Sequence, residues 1–340
     1  MGTIHTATHC VSPAVASLFT RSLVWDNHGC MPLRTDDEEF LPQLARYRDS
    51  GVDVVSLNVG FDALPWQKTV AMLAHFRHWV RQRPEHYVLA HGIAEIDRAT
   101  REGKLAVTFD IEGGCALNDQ LSMVELYYEL GVRWMLIAYN RNNSLGGGCN
   151  DEDTGLTPFG RRVLEEMGRV GMVACCSHTG YRTTMQVMES SSQPIIFSHS
   201  NPLGVRRHYR NVRDEAIKAC AAGGGVVGIN GIGVFLGAND SRTETLVRHV
   251  DYVATLVGPR HVGLGLDYVF DQQELLDFLR SNPQVFSQED FGDAPQLAMP
   301  EQIPEIAERL SHLGYSDEDL RGILGGNHLR IAQQVWRRIA

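Results

Sequence analysis

The sequence predicts an α/β protein folded as a single (β/α)₈ TIM barrel, with extra helices at its C-terminal end. Three observations support this prediction: eight short apolar runs occur along the chain, helical periods follow most of them, and the chain has 340 residues. Continuous apolar runs joined by helices are typical of a parallel sheet that is covered on both faces. Eight such runs in a chain of this length fit one closed barrel with insertions.

The predicted strands and helices alternate from residue 22 onward. The apolar runs occupy residues 22–28, 52–59, 105–113, 134–140, 172–178, 194–200, 225–231 and 261–268. Helices are predicted over residues 35–51, 65–83, 93–104, 119–130, 159–171, 212–222 and 243–257, and between the fifth and sixth runs. No linker, short repeat or low-complexity tract interrupts this order. We therefore predict one domain over residues 1–340, with a mostly helical extension from about residue 270 to 340 packed on the barrel. Within it, residues 272–300 are expected to form either a lid or a dimer arm.

The composition excludes several classes of partner. The formal net charge is −10 and no stretch is rich in lysine or arginine, so a nucleic-acid partner is not expected. The sequence has no run of eighteen apolar residues and no recognisable signal peptide, so we expect no membrane partner. The seven cysteines are an odd number, and Cys175 and Cys176 are adjacent within a predicted buried strand. This pattern favours a reduced, cytoplasmic protein over a disulfide framework.

The ends of the predicted strands carry side chains that can bind metal ions. These residues are His28 and Cys30 at or just beyond the end of the first run, Glu112 at the end of the third, His178 and His199 at the Ser-His ends of the fifth and sixth, and Asp267 in the eighth. In (β/α)₈ barrels the reacting groups lie at the C-terminal ends of several strands. Three histidines, two carboxylates and a thiol can hold two divalent ions, and zinc suits this donor set. The sequence therefore predicts a barrel of the metal-dependent hydrolase type, although each residue alone could be structural.

These motifs together resemble the renal-type membrane dipeptidases, a family of binuclear zinc peptidases on an amidohydrolase-like barrel. The resemblance extends from about residue 22 to residue 336 and rests on DNHGC, IEGG, GLTPFGRRVLEEMGRVGM, the paired Ser-His ends, RNVRDE, HVGLGLD and LGGNHLRI. It implies a hydrolase that cleaves the amide bond of a small substrate, most typically a dipeptide, by metal-activated water. It also implies two Zn²⁺ ions, and family members often form homodimers.

The resemblance also implies a role for each strand-end residue. His28 would bind the first metal ion, and His178 and His199 would bind the second. Glu112 would bridge the two ions. Asp267 would contact the first ion and handle the proton of the attacking water, which makes Asp267 and Glu112 the expected catalytic residues.

Three further residues are expected to bind the substrate, and some of the expected residues depart from the family pattern. Arg210 would bind the substrate carboxylate, and Tyr139 and Asn140 would lie beside the substrate. Tyr139 stands where the family has a histidine, and a tyrosine hydroxyl can still donate a hydrogen bond to an oxyanion. Cys30 stands where the family has an aspartate. It could bind the first metal ion as a thiolate, or it could be an inert residue beside a weakened or empty first position.

These departures, together with Cys115 and Cys176 at positions where the family has other residues, indicate a divergent subgroup. Two alternatives to a dipeptidase therefore stay open. One is a homologue with a single metal ion or little metal that acts on a non-peptide amide or a lactone. The other is a non-catalytic binding protein on the same barrel, because fold alone does not determine function.

Overall fold

The structure is a computed structural model that describes residues 11–283 and 294–337. The remaining parts of the predicted domain over residues 1–340, including residues 284–293 of the predicted lid or dimer arm at residues 272–300, lie outside the described residues.

Eight parallel strands close into a barrel, as the sequence predicts. They are β1 (Trp25–Cys30), β2 (Val54–Phe61), β4 (Leu105–Glu112), β5 (Val132–Leu136), β6 (Val173–Cys175), β7 (Ile196–Phe197), β8 (Val226–Ile229) and β9 (Val262–Leu264). Each strand pairs with the next in this order, and Leu264 pairs with Asp26 to close the barrel. Each barrel strand overlaps one of the eight predicted apolar runs, so the predicted fold class is confirmed.

Burial explains why these runs become strands. All eight residues of β4 are buried, and seven of the eight residues of β2 are buried. Strands covered on both faces favour apolar side chains, which most positions of β2 and β4 carry. Two short strands have no clear signal in the sequence: β3 (Tyr87–Leu89) pairs with β4, and β10 (Tyr268–Val269) pairs with β1.

Helices surround the barrel. They are α1 (Pro13–Phe19), α2 (Ala45–Asp49), α3 (Trp66–Arg81), α4 (Ile93–Glu102), α5 (Met123–Glu129), α6 (Pro158–Val170), α7 (Tyr181–Ser190), α8 (Asp214–Ala222), α9 (Gly233–Leu236), α10 (Thr243–Val257), α11 (Gln272–Ser281), α12 (Ile303–His312), α13 (Asp317–Arg321) and α14 (Asn327–Val335). Short 3₁₀ segments cover Leu41–Leu44, Gly114–Leu117, Pro259–His261 and Pro300–Gln302, and a π-helical turn covers Gly322–Gly326.

Two predicted helices begin later than expected. Over residues 35–51 only Leu41–Leu44 and α2 are helical, because the Asp37 carboxylate accepts the backbone N–H groups of Glu39 and Phe40 and forms a turn instead. The helix predicted over residues 119–130 starts only at Met123, because the residues just before it include left-handed ones; Asp119, for example, has a φ of 55°.

The C-terminal extension closes the N-terminal end of the barrel. Trp336 packs edge-on against Trp25 at the start of β1, and the Asn327 amide donates to the Val262 carbonyl at the start of β9. Helix α14 therefore lies at the end of the barrel opposite the predicted site. Among the described residues, no helix is both long and apolar enough to span a bilayer.

Candidate active site

The predicted metal ligands meet at the C-terminal end of the barrel. His28 lies within β1 and Glu112 is the last residue of β4, whereas His178, His199 and Asp267 follow β6, β7 and β9. His178 and Asp267 have left-handed backbone conformations, with φ values of 61° and 59°. Such values are uncommon for residues other than glycine, and here they accompany sharp turns after the strands.

Three donor atoms form a nearly equilateral triangle on one side of the site. His28 Nε2 lies 3.5 Å from Cys30 Sγ and 3.4 Å from Asp267 Oδ1. Cys30 Sγ lies 3.4 Å from the same Asp267 oxygen. His28 and Asp267 are buried, and Cys30 is half-buried at the wall of a cavity. The structure thus brings Cys30 into the predicted cluster.

A second group of donors lies on the other side of Glu112. His178 Nε2 and His199 Nε2 are 2.9 Å apart, and they lie 3.5 Å and 3.2 Å from Glu112 Oε1. His28 Nε2 is 3.6 Å from this same oxygen. Glu112 Oε1 is buried and has no hydrogen-bond partner among the described residues. The carboxylate therefore stands between the two groups, in a position from which it can reach both.

The three histidines and Asp267 each have a polar neighbour that fixes the orientation of the side chain. The His28 Nδ1 atom faces the Asp110 carboxylate at 3.4 Å. His178 Nδ1 lies 2.7 Å from Asn140 Oδ1, and His199 Nδ1 lies 2.8 Å from Ser198 Oγ. The Asn230 amide donates to Asp267 Oδ2 over 2.8 Å. These contacts turn the Nε2 atoms toward the centre of the site, as is usual for histidines that bind metal ions.

Three of these orienting residues were not predicted from the sequence. Asp110, Ser198 and Asn230 lie at or near the ends of β4, β7 and β8, so the strand-end position was an available signal. Asn140 was expected to touch the substrate. It is fully buried behind His178, where it orients the imidazole.

The electrostatics of this cluster fit metal cations. Burial raises the pKa of Glu112 to about 8 and lowers the pKa of His178 and His199 well below the usual range. With His178 Nδ1 donating to Asn140, its Nε2 presents a lone pair to His199 only 2.9 Å away. A cation between these nitrogens and the unpartnered Glu112 oxygen would satisfy all of them. Histidine, carboxylate and thiolate donors together suit zinc.

Gly113 allows the chain to turn immediately after Glu112. Its φ is 122°, and a Cβ atom there would lie 2.1 Å from the Asp62 carboxylate. Asp62 accepts the backbone N–H groups of Cys115 and Tyr139 over 2.8 Å and 3.1 Å. Gly113, in the IEGG motif, thus leaves room for the Asp62 carboxylate. Through its two hydrogen bonds, this carboxylate links the segments that follow β4 and β5 beside the site.

A cavity of about 460 Å³ lies above the first donor triangle. Its wall is mostly apolar and includes Phe61, Leu64, Ile232, Phe235, Leu275 and Phe278. Tyr139 also lines this cavity, and its ring stacks on His178 with the ring centroids 4.1 Å apart. The predicted substrate-binding Tyr139 is therefore well placed to contact a bound molecule.

Arg210 lines a second cavity, of about 310 Å³, that also reaches His178. The side chain is buried; its Nη2 donates to the His199 carbonyl over 3.3 Å, and its Nε has no partner among the described residues. The two cavities thus approach the donor cluster from different sides of His178.

Comparisons with known proteins agree with the geometry. The model of the family described as membrane dipeptidase, peptidase family M19, matches residues 17–280. An uncharacterised dipeptidase of Schizosaccharomyces pombe is 30% identical over 246 residues, which are 69% of this chain and 53% of that protein. Dipeptidase 3 of Rattus norvegicus is 29% identical over 252 residues, which are 72% of this chain and 48% of that protein. The chain thus spans about half the length of these relatives.

Solved structures share the fold. The crystal structure of an amidohydrolase from Pseudomonas aeruginosa superposes with a TM-score of 0.85 at 26% sequence identity, covering 95% of this chain and 99% of the other. The similarity therefore extends over the barrel and its C-terminal helices.

Proposed function

The chain belongs to the membrane dipeptidase family, peptidase family M19, and on this premise we propose that it is a zinc-dependent dipeptidase. The observation that supports this most directly is the position of Glu112, whose unpartnered oxygen lies within 3.6 Å of three histidine nitrogens. A carboxylate placed between two donor groups is what a site for two metal ions needs, because its oxygens can serve both ions.

We assign the donors to two positions. His28, Cys30 and Asp267 would hold the first ion, His178 and His199 the second, and Glu112 both. When bound, the ions would supply Lewis acidity that activates water and polarises the scissile carbonyl.

The protein's own groups would position the substrate and move the proton. Burial opposes charge on Asp267, but the neighbouring His199, His28 and Arg210 outweigh this effect and hold its pKa below the usual range. The side chain is therefore ionised, and it has the lone pairs needed to bind a metal ion and to take up the proton of the attacking water. Burial raises the pKa of Tyr139 well above its usual range, so its hydroxyl stays protonated and can donate to the carbonyl oxygen. Arg210 has a free buried Nε and the planar donor fork that suits a carboxylate.

The two cavities support a dipeptide as substrate. A dipeptide spanning His178 would place its carboxylate beside Arg210 and its first side chain in the apolar cavity, with the peptide bond over the donor cluster. An amide of similar size with no carboxylate would leave Arg210 buried and unpaired, which is costly.

The test is metal analysis together with turnover of a dipeptide panel by the zinc-supplemented protein. We expect two zinc ions per chain and hydrolysis, and an Asp267→Asn variant that folds but turns over about 10²–10⁴-fold more slowly. A protein that holds two zinc ions and hydrolyses no dipeptide would contradict the proposal. One zinc ion per chain would instead favour the single-metal alternative.

A further inference from the structure

The first donor triangle has the dimensions of one face of a metal coordination tetrahedron. Its edges are 3.5 Å from His28 Nε2 to Cys30 Sγ, 3.4 Å from Cys30 Sγ to Asp267 Oδ1, and 3.4 Å from Asp267 Oδ1 to His28 Nε2. Zinc–sulfur bonds of about 2.3 Å and zinc–nitrogen or zinc–oxygen bonds of about 2.0–2.2 Å at tetrahedral angles require donor separations of about 3.3–3.6 Å. The side chains therefore already stand at the required separations.

The environment of Cys30 is that of a ligand and not of a packing residue. Its sulfur lines the polar floor of the cavity and contacts an imidazole and a carboxylate. Residues two apart in a strand share a face, which is why Cys30 in β1 points the same way as His28. The buried, unpartnered Glu112 Oε1, 3.6 Å from His28 Nε2, independently points to a cation-binding position at this place.

We propose that Cys30 binds the first metal ion as a thiolate and gives this position a preference for borderline and soft cations. The inference deepens the proposed function, because it concerns the same metal site. On binding, the Cys30 S–H bond breaks, the proton passes to water, and the sulfur lone pair forms the bond to the metal ion. A mixed nitrogen, sulfur and oxygen donor set favours Zn²⁺, Co²⁺ and Cd²⁺ over Mn²⁺ and Mg²⁺.

The first test is spectroscopic and needs no substrate. The protein loaded with Co²⁺ is expected to show a thiolate-to-cobalt charge-transfer band in the near ultraviolet. The band should disappear in Cys30→Ser and in Cys30→Asp, and it should persist in Cys115→Ser, which removes an exposed thiol outside the cluster. A wild-type protein that shows no such band, or a band that persists in Cys30→Ser, would overturn the proposal.

The second test measures metal preference. In competition between Zn²⁺ and Mn²⁺, the wild type should retain zinc, and Cys30→Asp should reduce the zinc-to-manganese selectivity by at least about tenfold. Cys30→Asp replaces the thiolate by a carboxylate and so keeps a metal donor at this position. A change in this variant therefore reports on metal selectivity and not on the loss of a ligand. An unchanged ratio would contradict the thiolate role.

These outcomes are separable from those of the proposed function. A charge-transfer band without dipeptide turnover would refute the dipeptidase proposal and leave the thiolate ligand in place. Dipeptide turnover by a protein whose cobalt form lacks the band would refute the thiolate ligand and leave the dipeptidase proposal in place.

Discussion

Asp110 shows how a residue that cannot itself reach the metal position can control it. Its carboxylate accepts hydrogen bonds from Ser56 Oγ and Asn58 Nδ2, over 2.7 Å and 3.1 Å, and faces His28 Nδ1. We expect Asp110→Asn to lower zinc affinity about 10–100-fold, because the neutral amide holds the imidazole ring less firmly. Competition with a chromogenic chelator measures this affinity.

A suitable control for Asp110→Asn is Asp53→Asn, which changes a half-buried carboxylate that accepts the Val24 N–H at the opposite end of the barrel. The control should bind zinc as the wild type does. Equal zinc affinities in all three proteins would show that Asp110 does not orient His28.

The site residues divide into those that the sequence could reveal and those that it could not. His28, Glu112, His178, His199 and Asp267 stand at or just beyond strand ends, where a polar residue interrupts an apolar run, and their placement together needs only the barrel topology. Ser198 and Asn230 have the same kind of position, but their partners depend on register and side-chain torsion. The burial of Asn140 behind His178 likewise depends on the left-handed turn after β5, which propensities do not specify.

Helix α11 connects the site to the chain beyond the barrel. Arg34, after β1, donates to Asp271 and Glu274 over 3.0 Å each, and Leu275 and Phe278 line the cavity. The described part of the predicted lid or dimer arm therefore forms a cavity wall. The sequence left these alternatives open because they depend on long-range ion pairs between segments about 240 residues apart.

We expect Arg34→Ala to loosen α11 without unfolding the barrel. The ion pairs are partly exposed, so their loss should lower the free energy of unfolding by less than about 1 kcal/mol. Amide hydrogen exchange within α11 should nevertheless become faster. Arg280→Ala, which removes an exposed partner of Asp277 on the same helix, is the control and should change exchange less. Unchanged exchange in Arg34→Ala would show that other contacts hold the helix.

Helix α14 has a buried histidine that makes stability depend on pH. His328 Nε2 donates to the Leu264 carbonyl over 3.1 Å, and burial lowers its pKa to about 4. In the unfolded chain the pKa returns to about 6.5, so between pH 6.5 and 4 the unfolded state binds a proton that the folded state does not. The free energy of unfolding should therefore fall as the pH falls, by up to about 1.4 kcal/mol per pH unit from this residue.

His328→Gln keeps an amide donor and removes the titration, so its stability should decline less steeply over this window. Denaturant unfolding of the metal-free proteins between pH 7 and pH 4.5 measures the difference in slope. Substitution of the exposed His86 by glutamine should leave the wild-type slope unchanged. Identical slopes in wild type and His328→Gln would exclude His328 as a source of the pH dependence.

The barrel as a whole was predictable because burial on both faces leaves a strong signal in the sequence. The predicted runs located all eight barrel strands, although several boundaries moved: β5 begins at Val132 and ends at Leu136, not over residues 134–140. Strand β3 was missed because three residues are too few to show a period. The shape of the cavity was not predictable, since most of its apolar wall comes from loops and helices that lie beyond the barrel strands.

The apolar cavity predicts which dipeptides the whole molecule prefers. A large apolar first side chain would be buried against Phe61 and Phe278, whose rings meet edge to face 5.3 Å apart. Burying such a side chain contributes about 1.5–3 kcal/mol, so kcat/KM should exceed that of a glycyl dipeptide about 10- to 100-fold. Phe278→Asp should remove most of this advantage while leaving glycyl dipeptides little changed, and Phe278→Leu should retain it. Steady-state kinetics on matched dipeptides measures both ratios. Equal kcat/KM values for apolar and glycyl substrates in the wild type would mean that this cavity does not receive the first side chain.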